Sequence, residues 1–206
     1  MASTTIDTET ELSAVNAILG AIGQSPITSI SGASANPEVA FIYNLLRDAN
    51  VDVQSEGWHF NTEKHVKYTP DSTTKKIAIG SNILKADVHE GWSNRIYDVL
   101  NQDGFLYDKY DHTLEWDGSI DLDITKLITY ENIPEVFKRY IIYKASTRAA
   151  TQIVGNPQLV QLLQTQEALA RATCLEYECN QGNHSMFGFP EDTIYNTYQP
   201  WRNLRR

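Results

Sequence analysis

Acidic side chains between residues 115 and 123 are the part of the sequence that comes closest to a catalytic site. The four carboxylates are Glu115, Asp117, Asp121 and Asp123. A glycoside hydrolase needs two carboxyl groups across a groove, one as general acid and one as nucleophile or base. Asp121 and Asp123 alternate, so both would lie on one strand face. The spacing does not match an EF-hand calcium loop, and a solvated acidic surface is the simpler interpretation.

Motifs for nucleotide, metal or nucleophilic chemistry are absent from the sequence. There is no GxGxxG or GxxxxGK[ST] phosphate loop, no GxSxG elbow and no HExxH zinc motif. His59 and His65 lack a nearby cysteine, and their spacing is not that of zinc ligands. Cys174 and Cys179 are predicted to point apart on one helix, so we expect no disulfide. We therefore predict no cofactor and no metal.

The composition predicts a globular protein without a general nucleic-acid-binding surface. The 206 residues are 41% hydrophobic and 21% charged, which is enough for one large domain or two small ones. A net charge of −9 argues against the basic surface that such binding requires. No apolar run approaches ~20 residues, so we expect no membrane span. The first residues also lack the basic and apolar regions of a secretory signal.

Helical patterns flank the acidic cluster and must position it. Residues 1–57 and 133–182 each hold two predicted helices, and the first begins with a capping-box pattern at Thr8-x-x-Glu11. The second helix of each pair begins with Asn-Pro, at Asn36-Pro37 and at Asn156-Pro157, which supplies an N-cap and a first-turn proline. Their apolar stripes need one another for burial, which predicts one antiparallel four-helix bundle.

Residues 58–132 change to short aromatic and β-branched runs separated by turn signals. Trp58 and Phe60 alternate at the start of this region, and a hairpin turn is predicted at 101–104. Further strands are predicted at 76–79, 83–88, 95–100, 105–107, 113–116 and 120–128. Strands at this spacing predict a small β-sandwich or barrel-like domain, inserted into the helical bundle. The predicted fold class is α+β.

Residues 183–206 are predicted to form an extended C-terminal arm that docks on another surface. They have no helical period but many aromatic residues, in which disordered tails are usually poor. The candidate contact residues are Phe187, Phe189, Tyr195, Tyr198, Trp201, Arg202, Arg205 and Arg206. Aromatic anchors often dominate an interface, and arginine can hold a carboxylate with two hydrogen bonds. The alternative is that the arm folds back on its own helices.

Several stretches of the sequence resemble one known protein family. They are residues 11–27 (ELSAVNAILGAIGQSPI), residues 53–63 (VQSEGWHFNTE), Ile133–Phe137, Lys144–Ser146, Gly155–Pro157 and Cys174–Glu178. Together they resemble tail tubular protein A, the head-to-tail adaptor of short-tailed bacteriophages with a non-contractile tail. The GWxFN motif at residues 57–61 is the most specific element. The β-rich insertion is similar in position and character but not residue by residue.

The resemblance implies a structural protein of the virion tail, assembled in the host cytoplasm, rather than an enzyme. It implies a dodecameric ring between the portal protein and the tail nozzle, tail tubular protein B, with a further role in seating tail fibres. The C-terminal arm would then bind the portal, and DNA would pass through the ring without specific binding. Because a net charge of −9 makes identical copies repel, we predict a monomeric or weakly associated protein that forms its ring only on the portal.

A second hypothesis gives the acidic cluster a catalytic role. Tail components can carry polysaccharide-degrading activity, and the carboxylates of residues 115–123 with Trp92 or Trp116 could form such a site. The two hypotheses differ in one requirement, because an enzyme needs paired carboxylates beside an open groove and a structural adaptor does not.

Overall fold

The computed structural model describes residues 10–30, 36–89 and 97–181, and this part of the chain is α+β, as predicted. The α-helices are α1 (Glu11–Ala21), α2 (Pro37–Ser55), α3 (Glu135–Ala149) and α4 (Pro157–Gln181). The strands are β1 (Thr62–Tyr68), β2 (Ile83–Val88), β3 (Val99–Gln102), β4 (Phe105–Asp108) and β5 (Ile120–Lys126). The described residues up to Asn61 and from Leu127 to Glu178 form a helical unit, and those from Thr62 to Lys126 form a β unit.

Helix α1 begins with a reciprocal capping box, but not at the predicted residues. The Thr10 hydroxyl accepts from the Ser13 amide at 3.3 Å, and the Ser13 hydroxyl accepts from the Thr10 amide at 3.1 Å. The predicted box at Thr8 and Glu11 is therefore wrong, since Glu11 is already the first helical residue. Its carboxylate instead accepts from the Tyr43 hydroxyl at 3.0 Å, a contact between helices that local spacing cannot reveal.

The two Asn-Pro helix starts are confirmed. The Asn36 side chain accepts from the Glu38 amide at 3.1 Å, with Pro37 in the first turn of α2. The Asn156 side chain accepts from the Gln158 amide at 3.0 Å and caps α4 in the same way. A side-chain oxygen thus satisfies one of the amides that the first helical turn leaves without a partner.

The core of the helical unit is centred on Phe137, which is fully buried in α3. Its ring lies 4.9 Å from Trp58, 4.7 Å from Phe60 and 5.8 Å from Tyr177, measured between centroids. Trp58 and Phe60 therefore pack in the helical unit. Their alternation had suggested a strand, but neither residue lies on one. Helices α1 and α2 contribute Ala14, Val15, Ile18, Leu19, Val39, Ile42, Leu46, Ala49 and Val53 to this core, and α3 adds Tyr140, Ile141, Ile142, Ala145 and Ala149.

The β unit contains two small antiparallel sheets. The first has the strand order β1-β5-β2, and the second is the β3-β4 hairpin. The hairpin turns at Asp103-Gly104, where φ is 53° and 80°, inside the predicted turn. The runs at 76–79 and 113–116, predicted as strands, form only isolated bridges. The buried core comprises Ile77, Ile79, Val99, Leu106, Trp116, Ile120, Leu122 and Ile124.

Helix α4 joins the helical core through its C-terminal half. Cys174 is fully buried, and Tyr177 packs beside it. Arg171 pairs with Glu56 at 3.1 Å, and Glu178 accepts from the His59 amide at 2.8 Å. A regular four-helix bundle and a β-sandwich or barrel-like domain stay predictions from the sequence. None of the described helices is both long and apolar enough to cross a membrane.

Candidate functional site

The four predicted carboxylates have different neighbours in the structure. Asp121 and Asp123 lie on the half-exposed face of β5, while Ile120, Leu122 and Ile124 alternate with them into the core. Asp123 contacts His89, whose Nδ1 is 2.8 Å from its Oδ1. Asp117, with its side chain 97% exposed, pairs instead with Lys75 at 3.2 Å.

The remaining members of the predicted hydrolase site have structural contacts of their own. Glu115 belongs to an isolated bridge with Lys76. Trp116 is buried, and its indole N–H donates to the Leu106 carbonyl at 2.9 Å, so its ring packs in the core of the β unit and is not presented to a sugar. Trp92 lies outside the described residues. These contacts do not strengthen the hydrolase hypothesis, which stays a prediction from the sequence.

A cluster that sequence reasoning missed lies on the outer face of the three-stranded sheet. The His65 and His89 rings stack with centroids 3.4 Å apart. The Asp123 Oδ1 atom that contacts the His89 ring also accepts from the His65 amide at 3.1 Å. No sequence motif joins these three residues, because His65 lies on β1, Asp123 on β5 and His89 directly after β2. Within the described ranges, no set of three His, Cys, Asp or Glu side chains is arranged to hold a metal ion.

The two cysteines are unpaired, as predicted. Cys174 is buried against the Val136 carbonyl, which lies 3.5 Å from its Sγ, whereas Cys179 is exposed. Burial, with a smaller contribution from the negative charge of Glu56, raises the pKa of the Cys174 thiol to about 12. A thiol with this pKa remains protonated at neutral pH and is a packing group rather than a nucleophile.

The N-terminal half of α4 exposes large apolar side chains. Leu162 is 66% exposed and Leu169 is 69% exposed. They lie two helical turns apart and therefore share one face of the helix. Ile153 and Val154 are also exposed, at 39% and 42%, in the π-helical turn at Ala150–Val154. No Asp, Glu, Lys or Arg occurs from residue 149 to residue 166. We call residues 153–169 the α4 surface.

The predicted docking residues of the C-terminal arm lie outside the described residues. They are Phe187, Phe189, Tyr195, Tyr198, Trp201, Arg202, Arg205 and Arg206. The α4 surface was not predicted from the sequence. The period of α4 shows that leucines recur, but it does not show which of them other helices cover.

Comparison with known proteins identifies the family of the chain. A family model described as tail tubular protein matches residues 12–184, which is well over half of the chain. The matched region includes α1 from its second residue, the other three α-helices and the whole β unit. No curated protein sequence matches the chain.

Proposed function

The chain belongs to the tail tubular protein family, a structural component of bacteriophage tails, and we propose that it is the ring-forming adaptor between the portal protein and the tail nozzle. In this proposal twelve copies form a ring in the virion, the nozzle protein is tail tubular protein B, and the ring helps to seat tail fibres. Assembly takes place in the host cytoplasm, and DNA passes through the ring without sequence-specific contacts.

The exposed leucines of the α4 surface carry this proposal. Full burial of a side chain such as Leu162 or Leu169 in a contact between proteins stabilises that contact by about 1.5–3 kcal/mol. Leu162 and Leu169 share one helical face, and exposed Ile153 and Val154 precede them in the chain. Exposed apolar side chains of this kind are typical of a protein–protein contact. The segment that holds Leu162 carries no charged side chain from residue 149 to residue 166, and Glu167 is the one charged residue of the α4 surface.

The charge of the chain explains why this segment suits contact between copies. Each copy carries a net charge of −9, so most pairs of surfaces repel when copies approach. The uncharged stretch from residue 149 to residue 166 avoids that repulsion. We infer that neighbouring copies meet at the α4 surface, and that the portal aligns the copies because their overall repulsion opposes assembly in its absence.

The C-terminal arm is proposed as the contact with the portal. Its aromatic residues, with Trp201 as the central anchor, would fill pockets on the portal, and Arg202, Arg205 and Arg206 would pair with portal carboxylates. Arginines at the rim of such an interface chiefly affect the association rate and its salt dependence. The arm and the α4 surface thus have separate roles, one toward the portal and one toward the next copy.

The test replaces both leucines of the α4 surface with glutamine, as Leu162→Gln/Leu169→Gln. Glutamine keeps the helix propensity, so the melting temperature should stay within about 2 °C of the wild type. We expect the variant to bind portal but to lose ring formation, measured by light scattering after gel filtration and by negative-stain microscopy. The control is Leu100→Gln, which alters a leucine 49% exposed on β3 and should assemble normally. Full ring formation by the double variant contradicts the proposed contact.

A further inference from the structure

The α4 surface contains a hole of the kind that receives a side chain from a facing helix. Residues spaced i, i+3, i+4 and i+7 share one helical face, and four such residues surround a hole in knobs-into-holes packing. On α4 this spacing is met by Leu162, Thr165, Gln166 and Leu169, all of which are exposed. The Thr165 hydroxyl donates to the Gln161 carbonyl at 2.9 Å, so it already has a partner within the helix. The hole is therefore apolar at both ends and uncharged.

A ring requires this hole to meet a different surface of the next copy. In a ring of more than two copies, neighbouring subunits meet head to tail, and each interface joins two unlike surfaces. A contact between two α4 surfaces would be isologous instead and would close after two copies. This step rests on the proposed ring-forming function. A ring-forming copy therefore carries a second surface that fits the hole on α4.

The aromatic side chain of Phe41 in α2 has the properties that this second surface needs. Among the described residues of the helical unit, the large apolar side chains exposed outside α4 and the π-helical turn are Phe41 and Val51, at 40% and 38%. No charged residue occurs from Val39 to Leu46, whereas Val51 directly precedes Asp52. Phenylalanine is also enriched at interfaces between proteins. Phe41 is therefore the better candidate for a side chain that fills the hole.

We propose that Phe41 of one copy inserts between Leu162 and Leu169 of the next copy, and that this contact repeats around the ring. The two leucines lie seven residues apart, which is about 10 Å along the helix axis and leaves room for one aromatic ring. Phe41 and both leucines are exposed within one copy, so each is accessible to a neighbour. The α2 helix of the adjacent copy is thus the partner of the α4 surface.

The distribution of charge favours this pairing. Residues 39–46 and residues 149–166 are both uncharged, so contact between them buries no ion and brings no like charges together. Glu167, the first charged residue after this stretch of α4, lies about 100° or more around the helix from each of the four residues of the hole. It therefore lies to the side of the contact and does not oppose the entry of Phe41.

The first experiment compares ring assembly of full-length variants mixed with portal protein. Phe41→Gln should weaken each contact between copies about tenfold or more, so that rings disappear from negative-stain images while portal binding is retained. Val51→Gln is the matched control, because Val51 has nearly the same exposure on the same helix, and it should form rings as the wild type does. Circular dichroism verifies that both variants are folded. Complete rings from Phe41→Gln overturn the proposal.

Cross-linking supplies a second readout that leaves Phe41 and both leucines in place. In a Cys179→Ser background, Asn44→Cys is made in one preparation and Thr165→Cys in another, since Asn44 is exposed one turn from Phe41. With portal protein and a short bismaleimide, the equal mixture should give cross-linked dimers, and neither preparation alone should. Cross-links in Thr165→Cys alone indicate an α4–α4 contact and overturn the proposal. A mixture that forms rings without cross-links overturns it as well.

The variants also separate this inference from the proposed function on which it rests. If Leu162→Gln/Leu169→Gln forms complete rings, the contact at the α4 surface is wrong, and the inference fails with it. If Phe41→Gln forms complete rings and the double leucine variant does not, the α4 surface remains the contact between copies. Its partner is then not α2, and the inference alone is overturned.

Discussion

The helical unit and the β unit differ in how their backbones reach the left-handed region. Among the described residues of the helical unit, every residue with positive φ is a glycine, namely Gly23, Gly57 and Gly155. In the β unit four residues with side chains have positive φ, at His65, Lys75, Asp103 and His112. Glycine reaches this conformation without steric cost, whereas a residue with a Cβ needs contacts that hold it there. In the helical unit, glycines in the sequence therefore mark the residues with positive φ. In the β unit, most residues with positive φ carry a side chain, and contacts with distant residues must hold them in this conformation.

The largest expected effect tests whether the helical unit depends on one aromatic centre. Phe137→Ala removes a fully buried ring that contacts Trp58, Phe60 and Tyr177. We expect the free energy of unfolding to fall by about 3–5 kcal/mol, since the cavity adds to the lost transfer energy. Urea denaturation followed by circular dichroism measures it. Phe41→Ala, at a ring 40% exposed in α2, is the matched control and should cost clearly less. Similar losses for the two variants would contradict an aromatic centre at Phe137.

The second prediction concerns a long-range polar contact within the helical unit. Gln54 of α2 is fully buried, donates to the Ile128 carbonyl at 2.9 Å and accepts from the Ile128 amide at 2.7 Å. Gln54→Met keeps the side-chain length but leaves both main-chain groups without this partner. We expect a loss of about 2–3 kcal/mol in the free energy of unfolding.

Exposed Gln161 in α4 provides the control for Gln54. Gln161→Met should change stability by less than ~0.5 kcal/mol. If Gln54→Met unfolds in urea at the same midpoint as the wild type, the contact with Ile128 contributes nothing. The stability of the helical unit would then depend less on contacts between distant residues than the structure indicates. The two units would differ more in this dependence.

The smallest expected effect tests the left-handed residues of the β unit. Asp103 and Gly104 form the two-residue turn of the β3-β4 hairpin, for which Asn-Gly is the preferred sequence. Asp103→Asn should therefore raise stability by roughly 0.5 kcal/mol or less, whereas Asp103→Val should lower it by about 1–2 kcal/mol. Thermal melting of both variants gives the sign. Asp111→Asn, at an exposed residue with an ordinary backbone, should be neutral. A valine variant as stable as the wild type would remove the contrast between the units at this turn.

The predictions from sequence succeeded where the deciding interaction is local. The Asn-Pro starts at residues 36 and 156 and the turn at Asp103-Gly104 depend on neighbours within a few positions. Strand β2 was predicted with its observed bounds, because turn residues flank its apolar run. The start of α1 was misplaced because several residues near position 10 can cap a helix, and a distant tyrosine determines how Glu11 is used.

The candidate sites were less accessible from the sequence. The carboxylates at 115–123 are close in the chain, yet Asp117 and Asp123 contact different partners. The α4 surface needs knowledge of which side chains the core covers, since Leu163 is buried while the adjacent Leu162 is exposed. Hydrophobic periodicity predicts an amphipathic helix but not a surface that its own chain leaves uncovered.

The sequence by itself determined the α+β class, two of the helix starts, the hairpin turn, the free cysteines and the resemblance that the family match confirms. These properties follow from composition, caps and short motifs, whose interactions span only a few residues. Only the tertiary structure shows that Trp58 and Phe60 pack against Phe137. It alone shows that Leu162 and Leu169 of α4 are exposed. It also shows that Asp123 contacts both His65 and His89. The physical reason is distance along the chain, since His65 and Asp123 meet only after β1 has paired with β5.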